Sequence, residues 1–390
     1  MASAKIIFAS DLAPIRAFAP LMKADPKAIY GDLLPLLEAG DYNIVNLESP
    51  LYSGGDFIVK SGAAFSGDPE HVAVLSAGRF QAAVCANNHA FDRGDEGFFR
   101  TRETLRANAI ACVGAGGNLR EARKPLVFTL NGLHIALFAI SEGEDMRGAT
   151  PTSPGVRPWE VEALARELRR ARKRYDVLLV SAHCGLEYQP FPSYYVYEAF
   201  RLWAEAGADL IIGHHPHVPQ GRADFGGVPA YFSLGNFAFY QPLPLFYRKT
   251  GYLLEIELGD RGIRSHRPVP YRIHDRGLRL LAGREKRAFD QLFKSLSAPL
   301  ATAEGARRAW HAVLAYNGVG GFRAELAKIL ATFDERPPAG AAMLRNRVCC
   351  MQHRTQWIDG LSRIADGTIS DAPADLVKRV ADYMTREVEA

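Results

Sequence analysis

The chain has 390 residues, 48% of them apolar and 23% charged, with a formal net charge of +4. Its length exceeds what a single hydrophobic core usually serves, so one large catalytic unit with a smaller appended one is expected. The composition excludes a disordered or low-complexity protein, and the small charge excess excludes the single-sign field of a dedicated nucleic-acid binder.

In chain order, a short apolar run at 5–10 leads to Asp11, a second at 43–47 leads to Glu48, and a third at 81–86 leads to Asn87-Asn88-His89. The arrangement returns at 176–182 before His183, and at 209–213 before His214, His215 and His217. Five strands are thus predicted to deliver polar residues from their C-terminal ends. Helical patterns lie between them at about 26–39, 69–78, 96–107, 158–174 and 193–206, the alternation of an α/β sheet with crossovers. In such sheets ligands sit beyond the carboxyl ends of the strands.

Two apolar runs between 125 and 140 meet at Asn131-Gly132, a strong hairpin signal that implies a second, antiparallel element. Strands are also expected at 231–239 and 252–258, and the total suits two stacked sheets better than one open sheet. Residues 277–390 read as a helical appendage to a domain spanning 1–276. The basic run from Arg166 to Arg174 falls on the solvated face of an amphipathic helix.

The five cysteines, Cys85, Cys112, Cys184, Cys349 and Cys350, show neither a disulfide framework nor metal-binding C-x-x-C spacing, which fits a reducing compartment. Residues 1–5 run straight into Ile6, Ile7 and Phe8 without an export pattern, and no apolar stretch approaches the ~18 residues of a spanning helix. The expected location is the cytoplasm, with no membrane segment.

Three of the eleven histidines fall within Gly213-His214-His215-Pro216-His217-Val218. An H-x-H turn at a strand end can present two imidazoles to one cation or to two adjacent ones. Asp11 and Glu48, each following an apolar strand, would be costly if buried unpaired, a penalty that a metal removes. Asn88 offers a neutral oxygen ligand, His89 a general acid, and Asp92 a carboxylate to orient it. His183 joins the set because of this company, whereas His71, His134, His266, His274, His311 and His353 are left as ordinary histidines.

These motifs, with Asn46-Leu47-Glu48-Ser49-Pro50, Asp92-Arg93-Gly94, Val113-Gly114-Ala115-Gly116, His183-Cys184-Gly185-Leu186-Glu187 and Ser233-Leu234-Gly235-Asn236-Phe237, resemble in order those of the CapA/PgsA family. That family, named for capsule and poly-γ-glutamate synthesis, belongs to the calcineurin-like metallophosphoesterase superfamily, and the likeness spans about residues 5–258. It implies a four-layer α/β/β/α sandwich and one or two divalent metal ions (Mn, Fe, Zn or Co). Asp11, Glu48 and His217 would hold one metal; Glu48, Asn88, His183 and His215 would hold the other. His89 would protonate a leaving group. The implied activity is hydrolysis of a phosphoester or an amide, γ-glutamyl amides included, by a metal-bound hydroxide. Its substrate would be a small or oligomeric anion. The alternative is a non-catalytic accessory protein of polymer synthesis. Two departures stand out: Ala13 replaces a superfamily histidine, which leaves the first metal one ligand short, and Ser10 replaces a usual glycine.

Overall fold

The computed structural model describes residues 4–142 and 147–388. One sheet contains β1 (Ala4–Ala13), β2 (Tyr42–Leu47), β3 (Phe80–Val84) and β4 (Ala111–Val113) in parallel order. A small antiparallel pair, β5 (Ala115–Gly116) and β8 (Gly155–Val156), stands apart. The second sheet holds β6 (Leu126–Leu130), β7 (Leu133–Ser141), β9 (Val177–His183), β10 (Leu210–His214), β11 (Arg222–Phe225) and β12 (Val228–Tyr231), in the order β11-β12-β10-β9-β7-β6. The chain then returns to the first sheet as β13 (Asn236–Phe239), β14 (Thr250–Gly259), β15 (Gly262–His274) and β16 (Gly277–Leu280).

Period-two alternation decides the layering, because successive strand residues face opposite sides. Ile6 and Phe8 of β1 join Ile135, Leu137, Leu179 and Ile212 of the second sheet in one buried cluster between the sheets. Their neighbours Ile7 and Ala9 instead pack with Phe18, Leu37, Leu75 and Phe98 of the helices outside the first sheet. On the far side, Phe138, Val180 and Ile211 meet Leu164, Leu168, Phe200 and Trp203 of the helices Val161–Ala171 and Tyr194–Glu205. The result is the expected α/β/β/α sandwich. Helix Val161–Ala171 turns Arg166, Arg169 and Arg170 to solvent while burying Leu164 and Leu168, so the basic run lies on a solvated face.

The predicted hairpin is present: β6 and β7 pair antiparallel across Asn131-Gly132, both with positive φ. The single strand expected over 231–239 is instead two, β12 in one sheet and β13 in the other. Ser233-Leu234-Gly235 carries the chain across, with Gly235 at φ 76. Apolar residues continue on both sides of this crossing, so periodicity alone does not reveal the change of sheet. The first sheet also runs to Leu280, four residues into the span read as helical, because β16 pairs with β15. Helices Gly283–Ser297, Ala303–Glu335, Pro337–Cys349, Met351–Ala365 and Ala374–Thr385 follow. No helix among the described residues is long and apolar enough to cross a membrane.

A Cβ at Gly235 would lie 2.7 Å from the Thr250 carbonyl oxygen, in a backbone conformation L-residues avoid. Gly235→Ala should therefore lower stability by about 1–3 kcal/mol in chemical denaturation. An unchanged midpoint would show that the crossing tolerates a side chain.

Candidate metal centre

The strand ends bring the six expected ligands together. β1 and β2 are in register up to Ala9↔Val45 and resume at Asp11↔Asn46, which leaves Ser10 as an extra residue. A bulge of this kind re-aims the following side chain, here Asp11. Asp11, Glu48 and His217 place ligand atoms within 4.8 Å of one another, and so do Glu48, His183 and His215. Glu48 belongs to both groups. Asn88 adds its Oδ1, 2.9 Å from His183 Nε2. His217 Nδ1 lies 3.3 Å from Asp11 Oδ2, and its Nε2 lies 3.6 Å from Glu48 Oε1.

Neighbouring amides fix these groups. Asn46 Nδ2 donates to Asp11 Oδ1 (2.9 Å). The Nδ2 of Asn236 donates to the His217 and Arg248 carbonyls, so its Oδ1, 2.9 Å from His217 Nδ1, is the acceptor of that ring proton. This tautomer leaves Nε2 as the ligand atom on the Glu48 side. His215 and His217 both have positive φ, of 96° and 56°. Such backbone costs about 1–3 kcal/mol per residue and persists where the surroundings enforce it.

The donor set fits a divalent cation. Asp11, Glu48, His183, His215 and His217 are all at most 3% exposed. Among the described residues, Asp11 Oδ2, both Glu48 oxygens and both His215 ring nitrogens are buried without a hydrogen-bond partner. Unsatisfied buried polar atoms cost about 1–3 kcal/mol each, and charged ones more. Burial lowers His183 well below its ordinary pKa and His215 to about 4, so both imidazoles are neutral, with lone pairs available to a metal. Burial also pushes Glu48 well upward, reinforced by the Asp11 charge. For His217, burial opposes protonation, but Glu48 and Asp11 outweigh it and raise the ring to about 10. For Asp11, burial is likewise outweighed, by His217, His214 and Asn46, and the carboxyl is held low.

His89 and Asp92 lie beside this cluster. His89 Nδ1 is 2.6 Å from Asp92 Oδ2, and Asp92 also accepts from the Phe65 amide (2.6 Å) and Lys60 Nζ (2.9 Å). Lys60 further donates to the Asn88 carbonyl at 2.8 Å. Burial and the Lys60 charge together lower the His89 pKa, against the pull of Asp92.

Sequence reasoning missed three participants. Lys60 lies in an irregular loop with no motif to mark it. Glu187 places a carboxylate oxygen within 4.8 Å of ligand atoms of His215 and His217; the signal was its proximity to His183 in the chain. His353, set aside as ordinary, lines the cavity over the centre together with His89 and His217. It arrives from the C-terminal helices, which no local pattern connects to the site. His214 is part of the histidine cluster but belongs to neither group: it stacks on Phe8, with Nδ1 3.1 Å from Ser10 Oγ and 3.7 Å from Asp11 Oδ1.

Residues 5–241 match the family described as "Bacterial capsule synthesis protein PGA_cap". The chain belongs to this family. It is 30% identical over 254 residues to the PGA biosynthesis protein CapA of Bacillus subtilis, a match covering 64% of this chain and 66% of that one. It is 27% identical over 259 residues to the capsule biosynthesis protein CapA of Bacillus anthracis, covering 63% and 62%. A probable polyglutamine synthesis accessory protein of Mycobacterium tuberculosis is 27% identical over 225 residues, covering 53% and 58%. The match thus spans slightly less than two thirds of each of these relatives.

Burial also holds His214 neutral, at a pKa of about 4. The unfolded chain takes up this proton first as pH falls, so the stability tied to His214 is complete above about pH 6.5 and is lost toward about pH 4. His214→Asn should flatten this acid limb by on the order of 3 kcal/mol, from 1.36 kcal/mol per pKa unit. Urea denaturation at pH 7 and pH 4.5 measures it; parallel losses in both proteins would assign the limb elsewhere.

Proposed function

We propose that this protein is a hydrolase that works with a divalent metal pair, acting on a phosphoester or an amide, γ-glutamyl amides included. The observation that carries the reading is the pair of buried candidate-ligand groups sharing Glu48, with oxygens and ring nitrogens that have no hydrogen-bond partner among the described residues. Asp11, Glu48 and His217 would hold one cation, and Glu48, Asn88, His183 and His215 the other. A cation held there would supply Lewis-acid charge and lower the pKa of a water at the site to about 7.

The chain's own residues provide the rest. Asp92 accepts the Nδ1 proton of His89, which leaves Nε2 to carry the proton exchanged with a leaving group. Lys60 pairs with Asp92 in a buried contact and keeps that carboxylate charged. Phe65 packs against His89 in a tilted arrangement, 4.2 Å between ring centroids, and shields the ring from water.

Elemental analysis should find two metals per chain after loading with manganese or zinc, and fewer in His215→Ala. His89→Gln should keep the metals yet lower kcat on bis(p-nitrophenyl) phosphate or γ-glutamyl-p-nitroanilide about 10²–10⁴-fold. No bound metal in the loaded wild-type protein would contradict the reading.

A second reading is an accessory protein of polymer synthesis. It is favoured by exposed apolar side chains on the C-terminal helices, among them Val319, Leu330, Val348 and Ile358, each more than half exposed. Leu330→Asp with Val348→Asp separates the two: a hydrolase keeps its turnover, whereas a scaffold loses assembly and has no turnover to keep.

A further inference from the structure

The C-terminal helices share a core with the loops of the metal centre. Leu186 and Val218, each next in the chain to a site residue, pack with Trp310, Val313, Phe322, Val380 and Tyr383 in one buried cluster. The Tyr383 hydroxyl donates to the Pro219 carbonyl, and Tyr383 stacks on Tyr247 with ring centroids 3.6 Å apart. Beyond the last helix, Val388 N donates to the Pro244 carbonyl at 2.7 Å. Residues after 241 lie outside the family match, yet here they close over the site.

A cavity of about 500 Å³ lies between them, reaching His89, His217 and Asn88 on one side and Arg347, His353 and Gln356 on the other. This volume is that of a small-molecule pocket. Its charged lining is unbalanced: Arg16, Lys60, Arg248 and Arg347 face a single carboxylate, Glu187. Lys60 is taken up by Asp92, and Glu187 lies against His215 and His217. Arg248 stacks over the Tyr188 ring at 3.5 Å, and among the described residues no ion pair joins it to a carboxylate. Arg347 is anchored by Glu325 (2.7 Å) and Asn346 (2.6 Å), and its Nη1 reaches toward Ser61 (3.5 Å). Trp357 holds the other Glu325 oxygen at 2.8 Å. Two guanidiniums are thus fixed in place before any ligand arrives, the preorganisation that carboxylate and phosphate recognition exploits.

We infer that Arg248 and Arg347 form an anion-binding wall of the substrate cavity. Arg347, from the C-terminal helices, and Arg248, from the segment before β14, thereby select small molecules or chain ends that carry a second carboxylate or phosphate away from the bond at the metals. This assignment rests on the hydrolase reading above and adds the far half of the substrate to it.

Calorimetric titration of the intact manganese-loaded protein with phenylphosphonate and 4-carboxyphenylphosphonate tests it. The two probes share a metal-seeking end and differ in the remote anion. The wild-type protein should bind the carboxylated probe at least tenfold more tightly. Arg248→Gln and Arg347→Gln should each cut that ratio to threefold or less, and Arg347→Lys should retain more of it. Arg248→Gln breaks no ion pair and keeps the test decisive should Arg347→Gln fail to fold. Equal affinities in the wild-type protein, a ratio that survives both substitutions, or binding of neither probe overturns the assignment alone. A wild-type chain that takes up no metal defeats the hydrolase reading and this assignment together.

Discussion

Two carboxylates with almost no access to water, Asp11 and Glu48, impose the constraint on which the site depends. Asp11 lies near the end of β1 and Glu48 directly after β2, parallel neighbours whose other residues are buried apart from Lys5 and Tyr42. Without a cation, Glu48 is driven toward its neutral form, and His217 is its main compensating charge, with Lys60 a smaller one. The surroundings do not relax this conflict. Asn46 and Asn236 hold the groups in place, and the backbone at His215 and His217 is strained to aim them. Buried charge, unsatisfied atoms and strained backbone gathered in one place mark a site kept for function at a cost in stability.

The fold delivers this geometry by stacking two sheets so that their carboxyl ends converge. β1, β2 and β3 lead to Asp11, Glu48 and the Asn88-His89 loop; β9 and β10 lead to His183 and the histidine turn. No single sheet contributes the whole ligand set: Glu48, which sits in both groups, comes from the first sheet, and the histidines come from the second. The inter-sheet cluster around Phe8, Ile44, Leu179 and Ile212 therefore sets the spacing of the candidate metal ligands as well as the stability of the sandwich.

Much of this is legible in the sequence because the ligands follow directly upon apolar runs, where strand patterning and chemistry coincide. Asp11, Glu48, Asn88, His183, His215 and His217 all stand at such ends, and the structure brings them together. What the sequence hides is information that does not lie along the chain. Ser233-Leu234-Gly235 looks like the middle of one strand, yet it carries the chain between sheets. Lys60 and Glu187 come from irregular loops, and His353 and Arg347 reach the cavity from helices more than a hundred residues beyond the last ligand. Composition rich in Ala, Leu, Arg and Glu marks those stretches as helical but not which surface they cover, so the region read as an appendage gave no sign of sharing a core with Leu186 and Val218.

The central claim is that two cations share Glu48, and its most direct test is an anomalous difference map from crystals of the protein grown with manganese. The account predicts two peaks: one among Asp11, Glu48 and His217, the other among Glu48, Asn88, His183 and His215, about 3.5–4 Å apart as in other two-metal sites. A map with no peak inside this cluster, from crystals in which manganese was supplied in excess, would contradict it.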